Sequence, residues 1–146
     1  MFAKGTKVSI EKSQAEIQKM VTRYGATHYV SGITPQAAVI MFEAHNRRVK
    51  FILPLPKLDD VKRWKNAKLK EEAFRSEQRR LWRAFALVIK AKLEAVESKV
   101  SSFESEFLAQ IVDPGSGRTI GEVAIPALVN AYERGQKMPP LLGVGT

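Results

Sequence analysis

Only two side chains in the chain, His28 and His45, titrate near neutrality in their unperturbed state. Each lies in or beside an extended segment, and neither has a Ser or a carboxylate at the spacing of a nucleophilic or metal-binding motif. There is no Cys, which removes thiol catalysis, disulfides, zinc ribbons and iron–sulfur ligation together. Asp59-Asp60 precedes a helical stretch, where a carboxylate serves as a cap for free N–H groups more readily than as a metal ligand. Glu94, Glu97, Glu104 and Glu106 alternate with Lys90, Lys92 and Lys99, the pattern of exposed helix faces. The sequence therefore predicts no catalytic residues, no metal and no cofactor, and a protein that is not an enzyme but acts by binding.

Two features could bind an anion. Gly115-Ser116-Gly117-Arg118-Thr119 precedes a helix, so its backbone N–H groups and Arg118 form a secondary candidate. It lacks the Gly-Lys-Ser/Thr ending of a nucleoside-triphosphate loop. The stronger feature is a basic stripe. On one continuous helix Lys68, Arg75, Arg79, Arg83 and Lys90 share a direction. Trp82 and Trp64 stand close to it, and Arg47, Arg48 and Lys50 add charge from a strand. Cations beside aromatic rings suit a nucleic-acid backbone with stacked bases. The competing reading is a solvated helix face, partly neutralised by Glu71, Glu72 and Glu77, with Trp82 in the core. Lys92 projects into the apolar face, where a long side chain snorkels.

The elements that must hold these residues follow from charge and periodicity. The chain has 146 residues, 45% of them hydrophobic and 27% charged, enough for one domain spanning 1–146. Its 24 Lys+Arg against 15 Asp+Glu give +9, a bias toward anionic partners. Residues 1–56 carry eight basic and three acidic residues, 57–83 ten and five, and 84–146 six and seven. The basic character thus belongs to the first 83 residues. Residues 1–56 read as an α/β part with a basic sheet face. Lys7 to Ile10 is a short strand candidate, and Ser13 with Glu16 makes a capping-box pattern opening a helix that ends at Gly25. His28 to Ile33, Ala38 to Ala44 and Arg47 to Leu55 are strands, the last two joined by a His45-Asn46 turn. In the third, Val49, Phe51, Leu53 and Leu55 face one way and Arg48 and Lys50 the other.

From about Asp60 to Val100 no Pro or Gly interrupts the chain. Phe74, Leu81, Phe85, Val88, Ile89, Val96 and Val100 define one broad face. Such a helix breaks near Lys65 to Lys70 or protrudes to be covered by a partner. Residues 101–146 read as C-terminal helices and an apolar tail. One helix starts near Ser101 and Glu104 and carries Phe103, Phe107, Leu108 and Ile111. Another starts at the Thr119/Glu122 capping box and must kink or restart at Pro126. The expected fold class is α+β: an N-terminal antiparallel three-stranded meander with one helix, then a three-helix C-terminal region including one long helix.

The order of these features resembles a group of small phage and prophage proteins of uncharacterised function. The resemblance rests on Glu16 to Ala26 (EIQKMVTRYGA), Arg47 to Pro56 (RRVKFILPLP), Arg80 to Ser98 (RLWRAFALVIKAKLEAVES), Phe103 to Thr119 and the Met138-Pro139-Pro140-Leu141-Leu142 tail. It implies a mobile-element setting, in which small basic proteins serve recombination, replication or counter-defence, and it transfers no catalytic residue. Three functions fit the sequence. The first is sequence-tolerant binding of nucleic acid. The second is inhibition of a host defence protein or capture of an anionic nucleotide signal, and the third is a structural phage component. No apolar run is long enough to cross a bilayer, so the expected location is the cytoplasm of a bacterial host. The long helix and the apolar tail from Met138 to Val144 predict a homo-oligomer, with cyclic symmetry as the default.

Overall fold

The computed structural model describes residues 8–56 and 67–141. Helix α1 (Ile10–Tyr24) is followed by strands β1 (Thr27–Ile33), β2 (Ala37–Ala44) and β3 (Arg47–Pro54). The long helix α2 (Ala67–Glu97), the short α3 (Phe103–Phe107), a 3-10 turn at Leu108–Gln110 and helix α4 (Ile120–Arg134) complete the α+β arrangement. The strands form one antiparallel sheet in the order β1-β2-β3. His45 and Asn46 turn the second hairpin with φ of 53° and 61°, the two positive values that a type I′ turn requires. The resulting register sets Ile40 opposite Phe51 and Phe42 opposite Val49. Their shared face is the buried one, with all four residues no more than 5% exposed.

That face is covered by α1 and α2. Phe51 meets Phe85 of α2 at 5.6 Å and Phe107 of α3 at 6.0 Å, and lies 6.4 Å from Phe42. At about 1.5 Å per residue the 31 residues of α2 span roughly 46 Å. Its buried residues are Trp82, Phe85, Ala86, Ile89 and Leu93. The core face is therefore rotated from the expected one: Val88 is 49% and Val100 83% exposed. Trp82, Ala86 and Leu93 are buried because α1 packs beside α2, which local periodicity does not report. The expected start at Asp60 and possible break at Lys65 lie outside the described residues, apart from the continuous run from Ala67.

Four boundaries differ from expectation, each for a local reason. Helix α1 starts before Ser13, because Ser9 takes the cap and accepts from the Lys12 N–H at 3.1 Å. Ile10 then joins the Ile17/Val21 stripe, Ser13 is buried inside the helix, and the described part of the Lys7–Ile10 segment is not a strand. Helix α2 ends at Glu97, where Lys99 adopts φ 66° and Ser101 N–H reaches back to Ala95 O at 3.1 Å. The next cap is Ser102 rather than Ser101, accepting from Ser105 N–H. Ile111 is not helical. It bridges Val49, and Val112 N–H donates to Arg48 O at 2.8 Å, so this segment covers the start of the outer edge of β3.

Helix α4 begins with the expected capping box at Thr119 and Glu122. Its first turn seats closely on the 3-10 turn. A Cβ on Gly121 would meet Ala109 O at 2.8 Å, so only glycine allows this approach. Pro126 does not restart the helix, which continues from Ile120 to Arg134. Proline has no N–H for the carbonyl four residues earlier, and that carbonyl is Glu122 O. The Arg118 guanidinium donates to it at 3.1 Å, replacing the missing bond. No helix among the described residues is long and apolar enough to cross a membrane.

Two outcomes are expected from these contacts. Phe51→Ala should destabilise the fold by about 3–5 kcal/mol in chemical denaturation, because it empties the space between sheet and helices. Arg118→Ala should cost about 1 kcal/mol in the wild-type background and much less in Pro126→Ala, where an N–H returns to Glu122 O. A double-mutant cycle with no coupling would exclude the replacement.

Candidate nucleic-acid interface

The sequence places nine residues in one basic surface, and the sheet divides them. Arg48 and Lys50 alternate with Val49 and Phe51, whose side chains enter the core beneath α2. Arg48 and Lys50 therefore point from the opposite face of the sheet. They are balanced there by acids. Lys50 Nζ is 3.9 Å from Glu122, and Arg48 stands opposite Glu43 in the strand register. Arg47 donates to His45 O at 2.6 Å and lies 3.3 Å from Glu104. A concavity of about 510 Å³ between this hairpin and the 111–114 segment is lined by Glu43, Asn46, Arg47 and Arg48. Of its two cations, Arg47 is matched by Glu104.

On α2 the stripe is also divided. Trp82 is 2% exposed and packs 5.9 Å from Phe85, so it presents no face for a base to stack on. Trp64 lies outside the described residues. Arg75 pairs with Glu71 at 3.3 Å, and Arg80 with Glu77, which holds the Glu77 carboxyl below its ordinary range. Arg83 turns toward α1 and binds Glu16. Arg79 is half-buried and Lys90 exposed, and neither makes an ion pair among the described residues. Lys68 is exposed near the start of α2.

Helix α1 supplies the cations that the sequence reading missed. Lys12, Lys19 and Arg23 recur with Glu16 at helical spacing, along the side opposite the buried Ile17 and Val21. Glu16 meets Arg83, while Met20 and Arg23 share a small concavity with Lys90, Leu93 and Glu97. Residue numbers rise together on both helices, so α1 and α2 run parallel. Lys12, Lys19 and Arg23 thus stand beside Arg79, Arg83 and Lys90 along one seam. A concavity of about 490 Å³ opens on it, lined by Val8, Lys12, Ala15, Glu16, Lys19 and Arg83. The signal for the α1 cations was their spacing against Ile17 and Val21. Their alignment with α2, by contrast, is set by tertiary packing.

The remaining candidates hold structural bonds. His28 Nδ1 lies 3.0 Å from Thr27 Oγ1 and 3.3 Å from Glu43. Both partners approach the same nitrogen, whereas a nucleophile–base–carboxylate relay needs one on each ring nitrogen. His45 Nε2 lies 3.1 Å from the Tyr24 hydroxyl, and its ring packs 4.5 Å from Phe103. Burial and the nearby Glu97 and Glu104 raise the Tyr24 pKa, keeping the phenol protonated. The Gly115–Thr119 loop is filled by its own acid: Asp113 accepts from Gly115 and Ser116 N–H at 3.3 and 3.1 Å. A hydrogen bond from the Ser116 side chain, together with the Gly115 and Ser116 N–H bonds, holds the Asp113 carboxyl below its usual range. Arg118 is engaged by Glu122 O. Lys92 donates to Glu106 O at 2.9 Å and lies over the Phe107 ring, joining α2 to α3. Among the described residues no group of three or more acids and histidines has the geometry to hold a metal ion.

No protein-family model matches the chain, and no curated protein or solved structure matches it. The seam therefore rests on geometry alone, and its two kinds of cation are distinguishable. Arg83→Ala should lower the thermal midpoint, because it unpairs Glu16 at a partly buried helix contact, with a cost of about 1 kcal/mol. Lys19→Ala should leave it unchanged. Equal effects of the two in a thermal melt would exclude the structural role of Arg83.

Proposed function

We propose that the protein binds nucleic acid through the α1–α2 seam, contacting the phosphate backbone and performing no chemistry on it. The observation that carries this reading is the alignment of Lys12, Lys19 and Arg23 with Arg79 and Lys90, none of which makes an ion pair among the described residues. The eleven residue steps from Lys12 to Arg23 cover about 17 Å of helix axis, roughly five steps of a duplex at 3.4 Å per nucleotide. Trp82 belongs to the core, so this surface reads charge rather than base faces and tolerates any sequence. The proposed setting is the mobile-element one implied by the resemblance, with recombination or replication as the process served.

One observation favours a second reading, capture of a small anionic nucleotide. The 490 Å³ concavity at Lys12, Lys19 and Arg83 has the volume of a small-molecule site. Glu16 occupies Arg83 there, which favours an extended polyanion held by the outer cations.

Fluorescence titration of short single- and double-stranded oligonucleotides at two salt concentrations tests both readings. If five cations engage duplex phosphates, log K should fall with log salt at a slope of about −4.5. Lys19→Glu with Arg79→Glu should weaken binding at least tenfold while the circular dichroism spectrum stays unchanged. Arg83→Glu is unsuitable, because it sets two carboxylates against each other at the helix contact. No binding at low salt would exclude the proposal, and saturable binding of mononucleotides alone would select the second reading.

A further inference from the structure

The two edges of the sheet are treated differently. The start of the outer edge of β3 is covered by the 111–112 segment, through Val112 N–H to Arg48 O and the Val49–Ile111 bridge, and the strand ends at Pro54. The outer edge of β1 has no backbone partner among the described residues, and six of its seven residues are exposed. An open edge is a template for another strand, and proteins that must stay monomeric blunt it with charge, proline or a bulge. Here a bulge at Thr27/Val30, with His28 at φ 54°, irregularises only the first half. Val30, Ser31, Gly32 and Ile33 then pair regularly with β2 and contain no charge and no proline. Val30 and Ile33 are 54% and 62% exposed.

We infer that this edge pairs with the same edge of a second copy, joining two three-stranded sheets into one six-stranded sheet across a twofold axis at Ser31. The occupant follows from self-complementarity. A twofold pair centred on Ser31 sets Ile33 opposite the partner's Tyr29, and Val30 opposite the partner's Gly32. Ser31 lies on the core side of the sheet, in register with the buried Ile40, so Tyr29 and Ile33 share that side. Each copy's exposed Ile33 is therefore covered by an aromatic ring that already packs on the core. Only the small Ser31 meets itself at the axis. The strand brings no like charges together, and the cations of β3 lie two strands back at 4.7–4.9 Å per strand. That is about a Debye length at physiological salt, so these strand cations oppose the pairing weakly. A foreign strand would find the same hydrogen bonds without this reciprocal burial.

The chain has no Cys, which gives a direct test. Directly opposed residues of paired antiparallel strands lie 4.5–5.5 Å apart at Cα, within disulfide range. Ser31→Cys should cross-link to a dimer under mild oxidation, while Ser98→Cys, on the exposed end beyond α2, should not. Light scattering of the unmodified protein at tens of micromolar should give twice 16.3 kDa. Ser31→Lys, which opposes two ammonium groups at the axis, should halve that mass without changing the circular dichroism spectrum. A mass of 16.3 kDa for the unmodified protein would overturn the inference. So would cross-linking of Ser31→Cys no faster than Ser98→Cys, or a dimer that survives Ser31→Lys and is lost in Leu128→Ser with Tyr132→Ser.

Discussion

The ring of Phe51 lies within 5.6–6.4 Å of Phe85, Phe107 and Phe42. One side chain of β3 thereby couples the sheet, the long helix and the C-terminal helices. Burying an aromatic of this size is worth several kcal/mol, and the contact has consequences beyond stability. Because strand residues alternate, seating Phe51 and Val49 in the core sends Arg48 and Lys50 to the opposite face. Because Phe85 and Ile89 must meet the sheet, the neighbouring Trp82, Ala86 and Leu93 are set on the side of α2 where α1 lies. Arg83 and Lys90 then border α1. The positions of the cations in space follow from where the aromatic rings must go.

The strands and turns were legible because their determinants are local. Alternation in Arg47 to Leu55, the Asn-bearing turn at His45-Asn46 and the Thr119/Glu122 box each lie within a few residues. The core face of α2 was legible only in part: Phe85 and Ile89 are buried and Val96 packs on the core, while Val88 and Val100 are exposed. Phe74, Leu81 and Val88 are apolar enough to define a stripe, yet a stripe marks a face only until a second helix selects its own. The parallel packing of α1 on α2 joins residues 67 positions apart, as in Glu16 and Arg83. Nothing in the pattern of either segment encodes that pairing. The same distance explains why Lys12, Lys19 and Arg23 were absent from the expected surface and why Trp82 was drawn into it.

Net charge also proved a poor guide to local field. Of the expected cations, Arg47, Lys50, Arg75 and Arg83 have carboxylate partners. Such pairs contribute little to stability when exposed, but they subtract from what an anionic partner would encounter. Among the described residues, the cations Lys12, Lys19, Arg23, Arg79 and Lys90, which make no such pair, line the outer side of α1 and the adjoining edge of α2. A protein can therefore be strongly basic overall and present a much narrower electrostatic surface.

Apolar exposure at the other end of the chain obeys a comparable constraint. Ile125, Leu128, Val129 and Tyr132 recur at helical spacing on α4 and are 43–82% exposed, a stripe that resembles half of a helix pair. Its flank decides against pairing with itself. Glu122 and Glu133, eleven residues apart, fall on the same edge of that stripe. In an antiparallel pair equivalent edges meet, so Glu122 of each copy would approach Glu133 of the other at both ends. A parallel pair avoids this only by aligning two helix macrodipoles head to head. Strand β1 carries no Lys, Arg, Asp or Glu, turns an edge outward that has no backbone partner among the described residues, and in the proposed pairing would set only Ser31 against itself at the axis. Self-association is thus cheaper through the sheet than through the helix, although the helix exposes the larger apolar side chains.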